Sequence, residues 1–229
     1  MKRHFLILVI LCLGALCGCK DSTNHNNKIY YTSSNGDIVE LYSKHPFGKG
    51  VSIVSNVYEN GQGVITCSGD ITTIGKDAFN FRNNLTSITI PDSVTAIGES
   101  AFEGCGHLTK IIIPNSVTVI GDGAFCQCFS LTSIAIPNSV TIIGHRAFCE
   151  CFSLTSITIP ESVTTIGFYA FAWIKNLKSI YCEAVTPPSL DREIITNDAI
   201  IYVPEGSVEA YKTAYGWKSY ADRIKVYDF

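Results

Sequence analysis

LTSITIPDSVTAIGESAFEGCGH occupies residues 85–107. Nearly the same text returns as LTKIIIPNSVTVIGDGAFCQCFS at 108–130, LTSIAIPNSVTIIGHRAFCECFS at 131–153 and LTSITIPESVTTIGFYAFAWIKN at 154–176. The period is 23 residues, without slippage. Leu85, Leu108, Leu131, Leu154 and Leu177 mark the starts, and Ile88, Ile111, Ile134, Ile157 and Ile180 follow three residues on. Prolines 91, 114, 137 and 160, glycines 98, 121, 144 and 167, and an Ala-Phe pair complete each unit. Upstream, Ile74-Gly75 and Ala78-Phe79 fit the same grid, with Gln62 in place of the leading Leu.

A repeat of this length marks a solenoid, in which each unit buries its apolar side chains only against its neighbours. Within a unit the apolar spacing is uneven, so neither one helix nor one strand accounts for it. Ile88-Thr89-Ile90 alternates like a strand with one buried face. Pro91 lacks an N–H donor and ends it. Val94 to Ile97 reads as a second extended piece, and Gly98 suits a turn of positive φ. Ala101-Phe102 is expected on a short helical turn. Stacked units place Ile on Ile and Phe on Phe in ladders, Ile134 and Phe125 among them, and line the strands up as a parallel sheet about 4.8 Å apart.

The pattern LxxIxIPxSVxxIGxxAFxxC resembles the BspA-like leucine-rich repeats of bacterial surface proteins. The resemblance implies an α/β repeat solenoid: a right-handed coil of stacked short parallel strands with a cap at each end. Residues 29–61, KIYYTSSNGDIVELY among them, resemble the β-rich N-terminal cap, with Asn35-Gly36 as a hairpin signal. Residues 62–176 are the repeats. Residues 177–229 resemble the strand-helix C-terminal cap, where Ile201-Tyr202-Val203-Pro204 echoes Ile88-Thr89-Ile90-Pro91. Ser207 is expected to cap a helix reaching about Tyr215.

The N-terminus reads differently. Lys2, Arg3 and His4 precede an apolar run at 5–16, a secretory signal too short to span a bilayer. Leu16-Cys17-Gly18-Cys19 resembles the bacterial lipoprotein box. That implies removal of residues 1–18 and lipidation of Cys19, which anchors the chain to the membrane. The polar run at 19–28 then reads as a tether. The expected location is the bacterial outer membrane, at the cell surface.

Hydrophobic residues make up 46% of the chain, charged ones 16%, and the net charge is −3. A folded protein is expected, and no basic stripe marks a nucleic-acid partner. No HExxH, GxSxG or phosphate-binding glycine loop occurs, so neither an enzyme nor a cofactor is expected. Cys105, Cys128 and Cys151 recur at one repeat position and Cys126 and Cys149 at another. Three readings stand: small buried slots, as in the family's FxxC, a disulfide between coils, or a four-thiolate metal site.

The remaining function is a surface. Strand residues pointing away from the core should be Ser87, Thr89, Lys110, Ile112, Ser133, Ala135, Ser156, Thr158, Ser179 and Tyr181, a flat, hydroxyl-rich face with few charges. Phe129, Phe152, Phe168, Tyr169 and Trp173 replace small or polar residues of sister coils and form a second candidate patch. The family resemblance implies adhesion, through host or bacterial surface proteins or glycans, fibronectin and fibrinogen included. The alternative is a scaffolding envelope lipoprotein facing the periplasm.

Overall fold

A 23-residue unit has too little apolar surface to fold by itself, so its shape is set by the coils above and below it. The computed structural model describes residues 25–227. The expected signal segment, Cys19 and the start of the tether lie outside these residues.

Each coil crosses three faces. On the first runs the longer strand, as at Leu85–Thr89. On the second sit two-residue strands at Thr73–Ile74, Ala96–Ile97, Val119–Ile120, Ile142–Ile143, Thr165–Ile166 and Ser189–Leu190, joined in that order into one parallel sheet. Its register sets Ile74, Ile97, Ile120, Ile143, Ile166 and Leu190 abreast, all of them buried. Between faces, Phe79, Phe102, Phe125, Phe148 and Phe171 stack with centroids 5.2–5.7 Å apart and ring planes within 9° of parallel. All five are fully buried, each contributing roughly 1.5–3 kcal/mol of hydrophobic stabilisation. The recurrent Ser and Thr also tie coils together. Ser93, Ser116, Ser139 and Ser162 donate to carbonyls of the preceding coil at 2.6–2.7 Å, and Thr95, Thr118, Thr141 and Thr164 at 3.2–3.3 Å.

The third face carries no helical turn in the repeats, contrary to expectation. Two left-handed residues recur in every coil: Asp77, Ser100, Gly123, Arg146 and Tyr169, then Phe81, Gly104, Gln127, Glu150 and Trp173, with φ of 51–69°. Across this segment every second N–H points along the stack. Ser100, Phe102 and Gly104 donate to Asp122, Ala124 and Cys126 of the next coil at 2.8 Å, whereas Ala101, Glu103 and Cys105 bond back within their own coil. The inter-coil bonds outweigh the strain of non-glycine residues in this region.

The glycines at 98, 121, 144 and 167 also differ from expectation, since none has positive φ. They are small because the preceding coil is close. A Cβ on Gly98, Gly121, Gly144 or Gly167 would lie 2.9, 2.7, 2.5 or 2.4 Å from that coil, mostly from its backbone.

The first face is not one continuous sheet. One sheet runs from the N-terminal cap to Lys110–Ile112, and a second begins at Ser156–Ile159. Among the described residues, no backbone hydrogen bond joins residues 132–136 to either neighbouring coil. Packing is looser there: Ile111, Ile113 and Ile136 are 6–8% exposed, against 0–2% for Ile157 and Ile159. Ile134 is only partly buried against the core, a correction to its expected place in the ladder.

At the N-terminal end β1 (Lys28–Ser33), β2 (Ile53–Glu59) and β3 (Gln62–Cys67) form an antiparallel sheet. The hairpin turns at Asn60-Gly61, with φ of 51° and 82°, the double positive φ that suits a tight two-residue loop. Asn35-Gly36 instead opens a long loop, where Asn35 Oδ1 accepts the Asp37 N–H. The strand of the first unit, β3, does not lie beside Leu85–Thr89. β1 is inserted antiparallel between them, so the parallel ladder begins one strand later than the period predicts. Residues 25–28, read as tether, are docked: Ile71 N–H donates to Asn26 O, and Lys28 opens β1.

At the other end Ser179–Cys182, Ile200–Pro204 and Ile224–Tyr227 extend the parallel sheet. Helix α1 (Val208–Thr213) covers the open core, ending short of Tyr215. Ser207 stands at its N-cap position but makes no side-chain cap bond. Buried Tyr211 and Trp217 donate to Ala184 O and Pro188 O at 2.9 and 2.7 Å, which satisfies both polar tips.

Candidate interaction surface

Strand alternation puts the ten predicted face residues on the outer side of the first face. Thr89, Lys110, Ile112, Ser133, Ala135, Ser156 and Thr158 are exposed, and Ser87, Ser179 and Tyr181 are half-buried. Ile112 is 56% exposed, an apolar point beside the loosened coil. The N-terminal end is closed. The Thr32 hydroxyl of β1 lies 2.6 Å from those of Thr86 and Ser87, which ties Ser87 to the cap.

The C-terminal end is aromatic. Tyr181 and Tyr202 stack at 5.0 Å, and Tyr227 sets its edge against both, at 4.9 and 5.7 Å. Tyr181 was expected; Tyr202 and Tyr227 were not. The echo of Ile-Thr-Ile-Pro in Ile-Tyr-Val-Pro places Tyr202 where Thr89 stands, so its position was open to reading. Tyr227 belongs to a strand outside the repeat grid and carried no such signal. These rings are amphipathic and partly fixed by one another, which lowers the entropy lost when a partner docks.

The second patch resolves into two groups. Phe129 and Phe152 stack at 5.1 Å and are 40% and 38% exposed. Phe168 stacks on Tyr169 at 3.6 Å, Tyr169 meets Trp173 at 4.8 Å, and the Arg192 guanidinium lies 6.0 Å above Phe168. Among the described residues, no ring contact joins the two groups. Tyr169 and Trp173 occupy the two left-handed columns, with φ of 58° and 55°. Bulky residues are disfavoured there, by about 1–2 kcal/mol each. Trp173 is also 46% exposed.

The cysteines divide by orientation. Cys105, Cys128 and Cys151 are buried, and each Sγ donates to the carbonyl of Phe79, Phe102 or Phe125 at 3.0–3.2 Å. These fill the small slots. Burial pushes the Cys105 thiol up to about 12 and those of Cys128 and Cys151 up as well. Among the described residues, no group of three or more His, Cys, Asp or Glu side chains converges as a metal site.

Comparison with known proteins agrees with this architecture. The BspA type leucine rich repeat region matches residues 52–186 in six copies. A leucine-rich repeat protein of T. pallidum is 34% identical over 50% of this chain and 53% of its own, with a TM-score of 0.49. One from Bacteroides ovatus is 29% identical over 65% of this chain and 45% of its own, with a TM-score of 0.47. The pneumococcal vaccine antigen PcpA is 18% identical over 76% of this chain and 48% of its own, with a TM-score of 0.52, a likeness of fold alone. The chain spans about half the length of these solved structures. No curated protein matches it.

Proposed function

Because this chain belongs to the BspA-type leucine-rich repeat family, we propose that it is a lipid-anchored surface protein that binds protein or glycan partners through the outer side of its first face. One observation carries the reading: a strip of small, uncharged side chains from Ser133 to Thr158 that ends on the Tyr181, Tyr202 and Tyr227 rings. Small hydroxyl side chains lose little entropy on ordering and let a partner's backbone or sugar ring approach closely. Sparse charge keeps the desolvation cost low. The tyrosines supply the aromatic anchors that dominate interfaces. Adhesion to host matrix proteins such as fibronectin or fibrinogen is the use this surface fits.

The test is binding of the protein to immobilised matrix proteins and to a glycan array. Ser133→Glu with Ser156→Arg should abolish binding at an unchanged melting temperature, and Tyr202→Ala should weaken it by about 2 kcal/mol. Normal binding by the mid-face variant, together with loss in Trp173→Ala, moves the site to the Phe168, Tyr169 and Trp173 group. That second reading is supported by the strain retained at those positions. For the anchor, Cys19→Ala should lose fatty-acid labelling, and protease added to intact cells should cut the native protein. An uncut protein favours the periplasmic scaffold.

A further inference from the structure

Cys126 and Cys149 stand apart from the other cysteines. They lie one coil apart at the same repeat position, on the third face. Gln127 N–H donates to Cys149 O at 2.8 Å, so the two residues sit on adjacent hydrogen-bonded rungs. Rungs about 4.8 Å apart fall within the roughly 4.4–6.8 Å Cα separation that a disulfide spans. Cys105, Cys128 and Cys151 aim their thiols at backbone carbonyls. Among the described residues, neither Cys126 nor Cys149 makes such a bond; the strongest influence on each thiol is the other.

Their surroundings differ too. Cys126 lines a shallow pocket with Glu103, Asp122, His145 and Arg146, and the positive charge of Arg146 acts on the Cys149 thiol. The two thiols are correspondingly pushed apart. Cys149 is lowered, first by the neighbouring Cys126 thiol and then by Arg146, against the opposing effect of burial. Cys126 is raised by the neighbouring Cys149 and by burial. A thiol lowered beside one that is raised suits an attacking cysteine with its resolving partner.

We propose that Cys126 and Cys149 form an oxidation-sensitive pair that a small peroxide closes into a disulfide between adjacent coils. The Cys149 sulfur attacks one oxygen of hydrogen peroxide. The O–O bond breaks, water leaves with the thiol proton, and Cys149 becomes a sulfenic acid. The Cys126 sulfur then attacks the Cys149 sulfur, the S–O bond breaks, and a second water leaves with the Cys126 proton. Two thiols are oxidised and one peroxide is reduced to two waters. Cys126 and Cys149 are 1% and 0% exposed, and the pocket that Cys126 lines is the route by which a small peroxide would reach the pair. Closing the bridge draws the two rungs together and locks the stack at its middle.

The test treats the full chain with hydrogen peroxide and measures intact mass, free thiols and melting temperature. One residue separates Cys126 from Cys128, and one separates Cys149 from Cys151, so variants rather than proteolysis assign the bridge. The expected result is loss of two hydrogen masses and two thiols, with a raised melting temperature that a dithiol reductant reverses. The change persists in a Cys128→Ala, Cys151→Ala double variant and vanishes in Cys126→Ala and in Cys149→Ala. Arg146→Gln slows closure several-fold without changing its end point. Wild-type protein that keeps every thiol under peroxide overturns the proposal, and so does a bridge that survives Cys149→Ala. An Arg146→Gln rate equal to wild type overturns the assignment of Cys149 as the attacking sulfur.

Discussion

Gly144 and Gly123 test what the glycines of this solenoid are for. Gly123 has φ of +60°, whereas Gly144 is not among the positive-φ residues. If conformational freedom were the reason for glycine, Gly123→Ala would be the costly change. The packing says the reverse. A Cβ on Gly144 would lie 2.5 Å from Asp122 Oδ1, 2.6 Å from Asp122 N and 2.6 Å from Gly121 C. Relief needs the coils to part by roughly 0.8 Å to reach ordinary van der Waals contact. That movement stretches the Gly144 N–H bond to Ile120 O at 2.8 Å and the Thr141 N–H bond to Thr118 O at 2.9 Å. Overpacking of this kind costs about 3 kcal/mol, and a domain of this size loses about 2–4 °C of melting temperature per kcal/mol. At Gly123 the nearest atom outside its own turn is the Ser100 hydroxyl oxygen at 3.3 Å, and sister coils already carry Ser100, Arg146 and Tyr169 in this left-handed position. Gly123→Ala should therefore cost only about 1 kcal/mol. Gly206→Ala, with nothing within 4 Å, is the control. Thermal and urea unfolding followed by circular dichroism rank the three variants. A Gly144→Ala variant as stable as Gly123→Ala refutes the close-approach argument.

Three further outcomes are expected. Ile134→Ala should cost less than Ile157→Ala, about 1 against about 3 kcal/mol, because Ile134 sits half-buried in the unpaired coil; equal urea midpoints would place Ile134 in the ladder after all. Trp173→Asn should raise stability by about 1 kcal/mol by relieving the left-handed backbone, unless calorimetry shows that contact with Tyr169 outweighs the strain. Alkaline pH should destabilise the fold through Cys105. Its thiol is raised by burial from the ordinary 9.0 to about 12 in the folded chain, so its contribution is complete below pH 9 and falls as pH rises through that window, where only the unfolded chain ionises. Cys105→Ala should flatten the fall of the urea midpoint above pH 9, and an unchanged slope would assign it to other groups.

The repeat grid determined most of what is local and translational. Identical residues at identical offsets must stack on one another, so the Phe102, Phe125 and Phe148 column and the Ile97, Ile120 and Ile143 ladder followed from spacing alone. The outer residues of the first-face strands followed from their alternation. Tertiary structure decided whatever breaks that translation or depends on the distance between coils. Gly98 and Gly144 read as turn residues, because a one-dimensional repeat holds no record of how near the next backbone lies. The insertion of β1 ahead of Leu85–Thr89 pairs residues far apart in sequence, and no periodicity encodes a strand that belongs to no repeat. Tyr227 joins Tyr181 and Tyr202 for the same reason. Cys126 and Cys128 are two positions apart and alike on paper; only the setting of each thiol, beside another cysteine or on a backbone carbonyl, separates a reactive pair from a filled slot.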